Sequence, residues 1–478
     1  SQLRFSEDRT RVAVGFVFTE GPPVRVAALE LRGANRSSEE MIRDRVRLRV
    51  GDLYRPSVAR ASQDTLQALD VFTSVSLGLK DPEDVSRAKT VVVSVQERPR
   101  QFLGWGGGFS TGEGARGAFE YGYRNLFGQA IGLSFRAQLG YQLVFLDPEI
   151  EARYGAIPPG ERVEYQAVLA ATMPYLPGLP QLDATLNLVV LQDLQRDFRL
   201  QKEGIVGSLV YRPQRRLTLT LSEELESSDF LLLGKDVVNI GNLSISDLVP
   251  EGENALLSTS LGATWDLRDR AFNPRSGLLL SLSTQWARTL QDDSTEIQIG
   301  ESGAGTTTVT FRSNLLRMLV SAAFYLPFGR KVVLAGHGRY GRVIHLDPAS
   351  RSYPNRQFYL GGVSLRGFYE NQMIPQDLED SGAAATGIVS RGGDTFIALQ
   401  TELRFPLVGD VFGAVFVDAG NLWRDPSQLD LKQIEPVAGL GLRFQTPVAS
   451  LGLDYGVRAL RFEPFGYEGA LQFSFQRF

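Results

Sequence analysis

The sequence predicts a mainly β protein, a 16-stranded antiparallel transmembrane β-barrel preceded by a small βααββ domain. Three observations lead to this fold class. Apolar and polar residues alternate with a period of two from about residue 101 onward, which is typical of strands with two different faces. The connections between these stretches alternate between short and long, as in an up-and-down barrel. The first hundred or so residues instead mix strand and helix patterns.

Residues 22–98 have the pattern of a small domain that contains both helices and strands. A serine before the first amphipathic stretch can cap a helix, because its side-chain oxygen accepts a backbone N–H that has no partner within the helix. Two alternating stretches close the segment. The predicted elements are the strand Val24–Leu31, a helix that starts after Ser37 or Ser38 and runs through Val46, the helix Val58–Leu69, and the strands Val75–Lys80 and Thr90–Glu97.

Another strand pattern, Arg11–Phe18, precedes this domain and ends in Glu20-Gly21-Pro22. It has the character of the last strand of an earlier copy of the same unit. We therefore predict that residues 1–21 are the remnant of a preceding unit, so that the chain begins inside a repeat.

Residues 101–478 carry the barrel pattern. Leucines alternate with threonine or serine in Leu217–Ser222, and apolar residues alternate with glycine or charged residues in Leu451–Arg458. One face of each stretch is therefore apolar, and the other is polar. A soluble β-sandwich shows the same alternation with its apolar face inward, so this pattern alone leaves both folds open.

The lengths of the connections favour the barrel. Short connections rich in Pro or Gly, such as Asn273–Gly277 and Pro406–Asp410, alternate with long polar ones, such as Tyr141–Gly160 and Leu346–Asp394. Counting the stretches gives about sixteen strands, an even number that places both ends of the barrel on the periplasmic side. Lipid offers no hydrogen bonds, so every backbone group must pair within a closed sheet.

The composition excludes several classes of function. The chain has no cysteine, which excludes disulfides, thiol catalysis and cysteine-ligated metals, and its only histidines are His337 and His345. A net charge of −4 gives no hint of the concentrated basic surface that nucleic acid requires. No run of about 18 apolar residues is present, which excludes a transmembrane helix. We expect neither cofactor nor metal, and no catalytic residue of an enzyme.

The longest connection, Leu346–Asp394, contains Arg366 within the stretch Tyr359–Phe368. The next strand carries Glu402 on its polar face, and the strand after it directs Asp418 into the lumen. An unpaired buried carboxylate is costly, and the planar fork of an arginine can bind two carboxylates. We therefore predict that the loop folds back into the lumen with Arg366 against Asp418 or Glu402. The alternative is an arginine in solvent and a lumenal aspartate that pairs elsewhere.

These motifs resemble those of the BamA/TamA superfamily of outer-membrane assembly factors. Leu365-Arg366-Gly367-Phe368 resembles the family's Val-Arg-Gly-Phe/Tyr tip of the sixth extracellular loop, with leucine in place of valine. Phe416–Gly420 resembles its Phe-x-Asp-x-Gly strand, and Glu402 matches a glutamate that helps to hold the loop arginine. Asp266–Asp269 with Asn273–Gly277 resembles a turn of the family, and the βααββ unit resembles a POTRA domain. Only one complete POTRA-like unit is present, so the BamA and TamA subfamilies both stay open.

The resemblance implies a factor that folds client β-barrels into the bacterial outer membrane, with its POTRA domain in the periplasm. The implied partners are unfolded outer-membrane protein clients, periplasmic or lipoprotein partners bound by the POTRA domain, and outer-membrane lipid. Two alternatives stay open: a two-partner-type secretion pore for an unfolded exoprotein, and a TamA-like translocation of lipid or protein. The POTRA-like unit and the Arg366 loop argue against a passive diffusion porin.

The first and last barrel strands predict a labile seam. The first strand contains four glycines, which weaken a strand and let its backbone deviate. An opened seam exposes unpaired backbone groups that can template a client strand. The alternative is that the glycines only let the first strand curve tightly. The predicted seam residues are Gly104, Gly106, Gly107 and Gly108 in the first strand, and Phe473, Phe475 and Phe478 in the last strand, Gly469–Phe478.

Overall fold

The computed structural model describes most of the chain. It divides into two compact units, one made of residues 1–101 and 123–132 and the other of residues 102–122 and 133–478. The described residues are 2–5, 12–15, 23–84, 86–110, 114–141, 151, 155, 157–174, 176, 179, 181–196, 198–232, 252–271, 273–290, 293–299, 305–329, 331–380, 391–445, 450–459 and 467–476.

The N-terminal residues of the first unit form two short strands. β1 Gln2–Phe5 and β2 Val12–Gly15 pair in an antiparallel two-stranded sheet. β2 lies within the stretch Arg11–Phe18 that the sequence predicts as a strand. That residues 1–21 are the remnant of a preceding unit stays a prediction.

The βααββ order of the following domain is observed. Its elements are β3 Arg25–Arg32, α1 Glu39–Arg43, α2 Pro56–Gln67, β4 Phe72–Leu79 and β5 Ala88–Glu97. The strands form a sheet in the order β3-β5-β4, with β3 parallel and β4 antiparallel to the central β5. Apolar side chains of the sheet and both helices enclose one core, which includes Ile42, Leu66, Phe72 and Val91.

Local sequence explains where these helices begin. Ser38 caps α1 by accepting the Met41 N–H at 3.5 Å. Pro56 opens α2, because its missing N–H would have no partner in the first turn. The predicted first helix was too long, since α1 ends at Arg43 although Val46 is buried. The spacing of apolar residues correctly indicates that Val46 belongs to the core, but the backbone at Val46 is not helical.

The second unit is built around a sixteen-stranded sheet, and the predicted number of strands is confirmed. Its neighbouring strands follow one another in the chain, except that β15 and β16 form a separate hairpin between β14 and β17. The strands are β6 Gln101–Ser110, β7 Gly114–Leu126, β8 Ile131–Tyr141, β9 Val163–Met173, β10 Leu182–Leu194, β11 Phe198–Gln214, β12 Leu217–Leu232, β13 Gly252–Asp266, β14 Gly277–Thr289, β15 Asp293–Ile299, β16 Gly305–Phe311, β17 Asn314–Phe328, β18 Val332–His345, β19 Thr395–Val408, β20 Val411–Trp423, β21 Glu435–Gln445, β22 Ser450–Ala459 and β23 Tyr467–Gln476.

The sheet curls round so that its first and last strands meet. β6 and β23 are the two ends of the sheet order, and the rings of Phe109 and Phe473 on these strands lie 6.1 Å apart between centroids. Large apolar side chains such as Leu103, Trp105 and Leu471 are exposed on the outer face. This arrangement is a membrane barrel and excludes the β-sandwich, in which the apolar face would be buried.

Two regular elements lie in connections that the sequence predicted as irregular. The β15–β16 hairpin extends from the predicted loop Leu290–Gly305, and a further helix of the described residues, α3 Gln376–Asp380, lies between β18 and β19. Five residues are too few to show a helical period, which explains why the sequence did not indicate α3. None of the helices in the described parts of the chain is long and apolar enough to cross a bilayer. Short 3-10 helices lie at Pro159–Arg162, Pro354–Arg356, Gly362–Ser364, Pro426–Gln428 and Leu431–Gln433.

Glu97 ties the end of β5 to the segment before α1. Its Oε1 accepts the Arg36 and Ser37 N–H groups at 2.9 and 2.8 Å and the Ser37 hydroxyl at 2.7 Å. Partial burial raises the pKa of this carboxyl, but the hydrogen bonds from Ser37 and Arg36 outweigh that effect, so its pKa lies below the ordinary 4.5.

Glu97→Gln should therefore weaken protection of the Arg36 and Ser37 amides at neutral pH by about 1 kcal/mol of local opening free energy. A depressed pKa stabilises the folded state above the unfolded value and is lost as the pH falls through the folded value. The difference between variant and parent should thus shrink below about pH 4. Hydrogen exchange of the whole protein measures it, and a pH-independent difference would contradict the role of the ionised carboxylate.

Candidate functional site

The described residues between β18 and β19, 346–380 and 391–394, include a buried segment that folds into the interior of the barrel; we call these described residues the lumen loop. Its buried apolar residues include Leu360, Leu365 and Phe368. They share one core cluster with wall residues of several strands, among them Phe230 of β12 and Leu422 of β20. The loop therefore fills lumen space by packing against the wall.

Arg366 lies at the centre of this packing and binds two carboxylates. Its Nε and Nη2 donate to the two oxygens of Asp418 at 2.8 and 2.6 Å, and its Nη1 donates to Glu402 at 2.5 Å. The backbone N–H of Arg366 also donates to Asp418 at 3.2 Å. The Asp418 side chain is fully buried, so this carboxylate depends on Arg366 for compensation of its charge.

Further charged residues extend this arrangement into a network. Arg443 donates to Glu402 at 2.8 Å and to Asp454 at 2.7 Å, and Arg404 donates to Glu402 at 2.7 Å. The Arg366 guanidinium also lies 3.6 Å from the centroid of the Phe416 ring. Arg366, Arg404 and Arg443 thus face three carboxylates, which lie on β19, β20 and β22. The alternative of a solvated loop arginine does not hold.

Two glycines let the tip of the loop approach the wall closely. Gly367 has φ +90°, and a Cβ there would lie 2.5 Å from Cγ1 of Val437. A Cβ on Gly456 of β22 would lie 2.6 Å from the Gly367 nitrogen. Both positions therefore require glycine, and the backbone of the tip lies directly on β22.

Phe368 connects the tip to the last strand. The Arg458 guanidinium lies 4.1 Å from the centroid of the Phe368 ring. The backbone carbonyl of Phe368 accepts a hydrogen bond from the side chain of Gln472 at 2.8 Å. Gln472 is buried and belongs to β23. All four residues of the motif, Leu365 to Phe368, are therefore in contact with the wall or buried against it.

The predicted seam residues within the described part of the chain lie on the two end strands of the sheet. Gly104, Gly106, Gly107 and Gly108 are all in β6, where exposed Leu103 and Trp105 alternate with the glycines at 104 and 106. The ring of Phe473 contacts Phe109, while Phe475 is paired along the backbone with Leu451. Phe478 lies outside the described residues.

The charged residues and the glycine of the Asp266–Gly277 motif stabilise a turn. Arg268 donates to both oxygens of Asp266 at 2.9 and 2.8 Å. Asp269 accepts the Arg275 N–H at 3.0 Å. Gly277 has φ +113°, and a Cβ there would lie 2.3 Å from the Leu267 carbonyl oxygen. The motif therefore closes a turn, which is a structural role.

Sequence reasoning missed several members of the site. Arg443, Asp454 and Gln472 were not predicted, although Asp454 has the lumenal parity of its strand. The alternation along a strand shows which residues face the lumen. The residue with which each of them pairs depends on the strand register and on the path of the loop. Arg356 and Glu226, which form a second buried ion pair, were missed for the same reason.

Arg366→Met should lower the free energy of unfolding by about 3–5 kcal/mol, because it leaves Asp418 buried without its partner. The double variant Arg366→Met/Asp418→Asn should lose less than the sum of the two single variants, since no bare carboxylate is left at position 418. Arg312→Met, in a partly exposed ion pair with Asp347, is the matched control and should cost less than about 1 kcal/mol. Urea unfolding of the barrel measures all four variants, and strict additivity would refute the coupling.

Comparison with known proteins identifies relatives of the chain. A model of the Omp85 superfamily domain matches residues 125–476. Outer envelope protein 80, chloroplastic, of Arabidopsis thaliana is 24% identical over 452 residues, which are 88% of this chain and 52% of that protein. Outer membrane protein assembly factor BamA of Neorickettsia risticii (strain Illinois) is 23% identical over 443 residues, 90% and 52% of the two chains. The chain thus spans about half the length of these curated relatives.

Two solved structures show the same fold. BamA from Haemophilus ducreyi lacking POTRA domains 1–3 matches with a TM-score of 0.69 at 17% identity, over 99% of this chain and 88% of that chain. CdiB from Acinetobacter baumannii matches with a TM-score of 0.54 at 13% identity, over 95% and 74%. The resemblance that the motifs indicated is therefore confirmed. Because the family model covers most of its length, this chain belongs to the Omp85 superfamily.

Proposed function

We propose that this protein is an assembly factor that folds client β-barrels into the bacterial outer membrane through a labile seam between β6 and β23. The observation that carries the proposal is the meeting of a glycine-rich first strand with the last strand at the ends of the sheet order. A curated relative of similar sequence is named an outer membrane protein assembly factor. Such a function makes and breaks no covalent bond, so the proposal names no catalytic residue.

The composition of β6 supports a weak seam. Gly104, Gly106 and Gly108 lie on one face of β6 and have no side chain that could pack across the junction. Gly107 lies on the opposite face of the strand and also lacks a side chain. The ring pair Phe109–Phe473 supplies one side-chain contact between the strands. A strand with little packing has a low free energy of local opening, and an opened strand edge offers backbone groups to a client strand.

The lumen loop argues against a function that depends on an open channel. Its tip is held by the buried Arg366 network on one part of the wall. A porin or a secretion pore would need this loop to withdraw, which would leave Asp418 and Glu402 without Arg366. An opening in the wall needs no such withdrawal, and this difference favours the seam.

We also propose a location and partners for the parts of the chain. Residues 22–98 are a periplasmic POTRA domain, residues 1–21 the remnant of a preceding one, and residues 101–478 the barrel. The POTRA domain binds unfolded outer-membrane clients and periplasmic or lipoprotein partners, while the barrel contacts outer-membrane lipid. The exposed apolar belt of the barrel and the βααββ order of the first unit support this division.

A disulfide across the seam should stop client insertion. The chain has no native cysteine, so Phe109→Cys/Phe473→Cys places one defined pair where two rings now meet. Oxidation should lock β6 to β23 and abolish insertion of a model barrel into liposomes, and reduction should restore it. The measurement is the rate of protease protection of the client.

The matched control staples two strands away from the seam. Leu442 and Leu453 lie directly opposite each other on β21 and β22, and both are exposed on the outer face. Oxidised Leu442→Cys/Leu453→Cys should insert clients at the parent rate. A seam-locked barrel that also inserts clients at the parent rate would exclude the seam mechanism and favour a pore through the lumen.

A further inference from the structure

A second buried ion pair holds the lumen loop at a distance from Arg366. Nη2 of Arg356, near the start of the loop, donates to Oε1 of Glu226 at 2.5 Å. The Glu226 side chain is fully buried, and Arg356 is almost so. Removal of either partner would therefore leave a buried charge with weaker compensation.

Charges of two neighbouring strands complete this cluster. Lys202 of β11 contacts Glu224 at 2.6 Å and also contacts Glu226. Arg356 further reaches Ser258 of β13 at 3.3 Å. Lys202 and Arg356 thus face the carboxylates of Glu224 and Glu226.

Aromatic packing surrounds the same segment of the loop. Tyr353 stacks on Phe230 of β12 with 5.8 Å between centroids and 15° between planes. Tyr359 contacts Phe198 of β11, with 6.1 Å between centroids. The backbone carbonyl of Arg356 accepts a hydrogen bond from Arg317 of β17 at 3.0 Å. The loop is thus fixed here by charge, ring contacts and backbone together.

The two ion pairs bind distant parts of the wall. Glu226 lies on β12, whereas Asp418 lies on β20, and β13, β14, β17, β18 and β19 separate these strands in the sheet order. Only nine residues, 357–365, separate Arg356 from Arg366 in the chain. This short segment therefore crosses the lumen as a strap that is held at both ends.

We propose that Arg356, with Glu226 and Lys202, is a second positioning site that holds the strap closed against β11–β14 and so seals that side of the lumen. The proposal does not depend on the proposed assembly function, because any barrel with this loop has a lumen to seal. Loss of the site frees one end of the strap, while Arg366 keeps the other end on β20.

Ion current through single barrels in a planar lipid bilayer with potassium chloride tests the proposal. Arg356→Met keeps the length of the side chain and removes its charge, and it should raise the open time severalfold. Glu226→Gln should do the same and serves as the second variant if the first fails to fold. Arg43→Met, which breaks the exposed ion pair with Glu39 in α1, is the control and should keep the parent current.

A covalent tie distinguishes positioning from a general loss of structure. In the Arg356→Met background, Tyr353→Cys/Phe230→Cys replaces the stacked rings with a disulfide. Oxidation should return the current to the parent level, and reduction should raise it again. Parent-level current in both Arg356→Met and Glu226→Gln, or a raised current that the disulfide does not lower, would overturn the proposal. Client insertion measured on the same variants tests the assembly function separately.

Discussion

A backbone N–H or C=O in hydrocarbon has no water to bind, so each must find a partner within the protein. In this chain the requirement is met by a sheet of sixteen strands that curls until β6 and β23 meet. A ring of that size is too wide for its own wall side chains to fill. The lumen must therefore hold water or another part of the chain, and here the lumen loop enters it.

Charge fixes the path of that loop more sharply than apolar packing alone could. Apolar contacts tolerate rotation and sliding, whereas a bidentate pair such as Arg366–Asp418 has one geometry. Burial of the charges is costly, and each cluster offsets part of that cost by pairing its carboxylates with arginine or lysine side chains. The loop tip gains a further constraint from backbone contact, since Gly367 and Gly456 leave no room for a side chain between them.

The features that could be predicted are those that depend on one strand at a time. The period of two located the strands and placed Asp418 and Glu402 on the lumenal face, and a buried carboxylate then called for Arg366. Pairings such as Arg356–Glu226 depend on where a loop without periodicity travels, which no local pattern encodes. The same limit explains α3 and the β15–β16 hairpin, whose lengths or surroundings give no distinct signal.

The strap and the loop tip after it contact some strands of the barrel and not others. This distribution determines which strand is free to move if the wall opens. Arg356 binds the strap to β12, and Arg366 binds it to β19 and β20. Phe368 reaches β23 through Gln472, so the last strand is held from inside the lumen as well as by its pairing with β22. β6 presents glycines to the lumen at 104 and 106, and glycine has no side chain by which a loop could hold it. If the proposed seam opens, β23 would therefore stay with the strap and β6 would be the strand that departs, because the interior contacts favour the last strand.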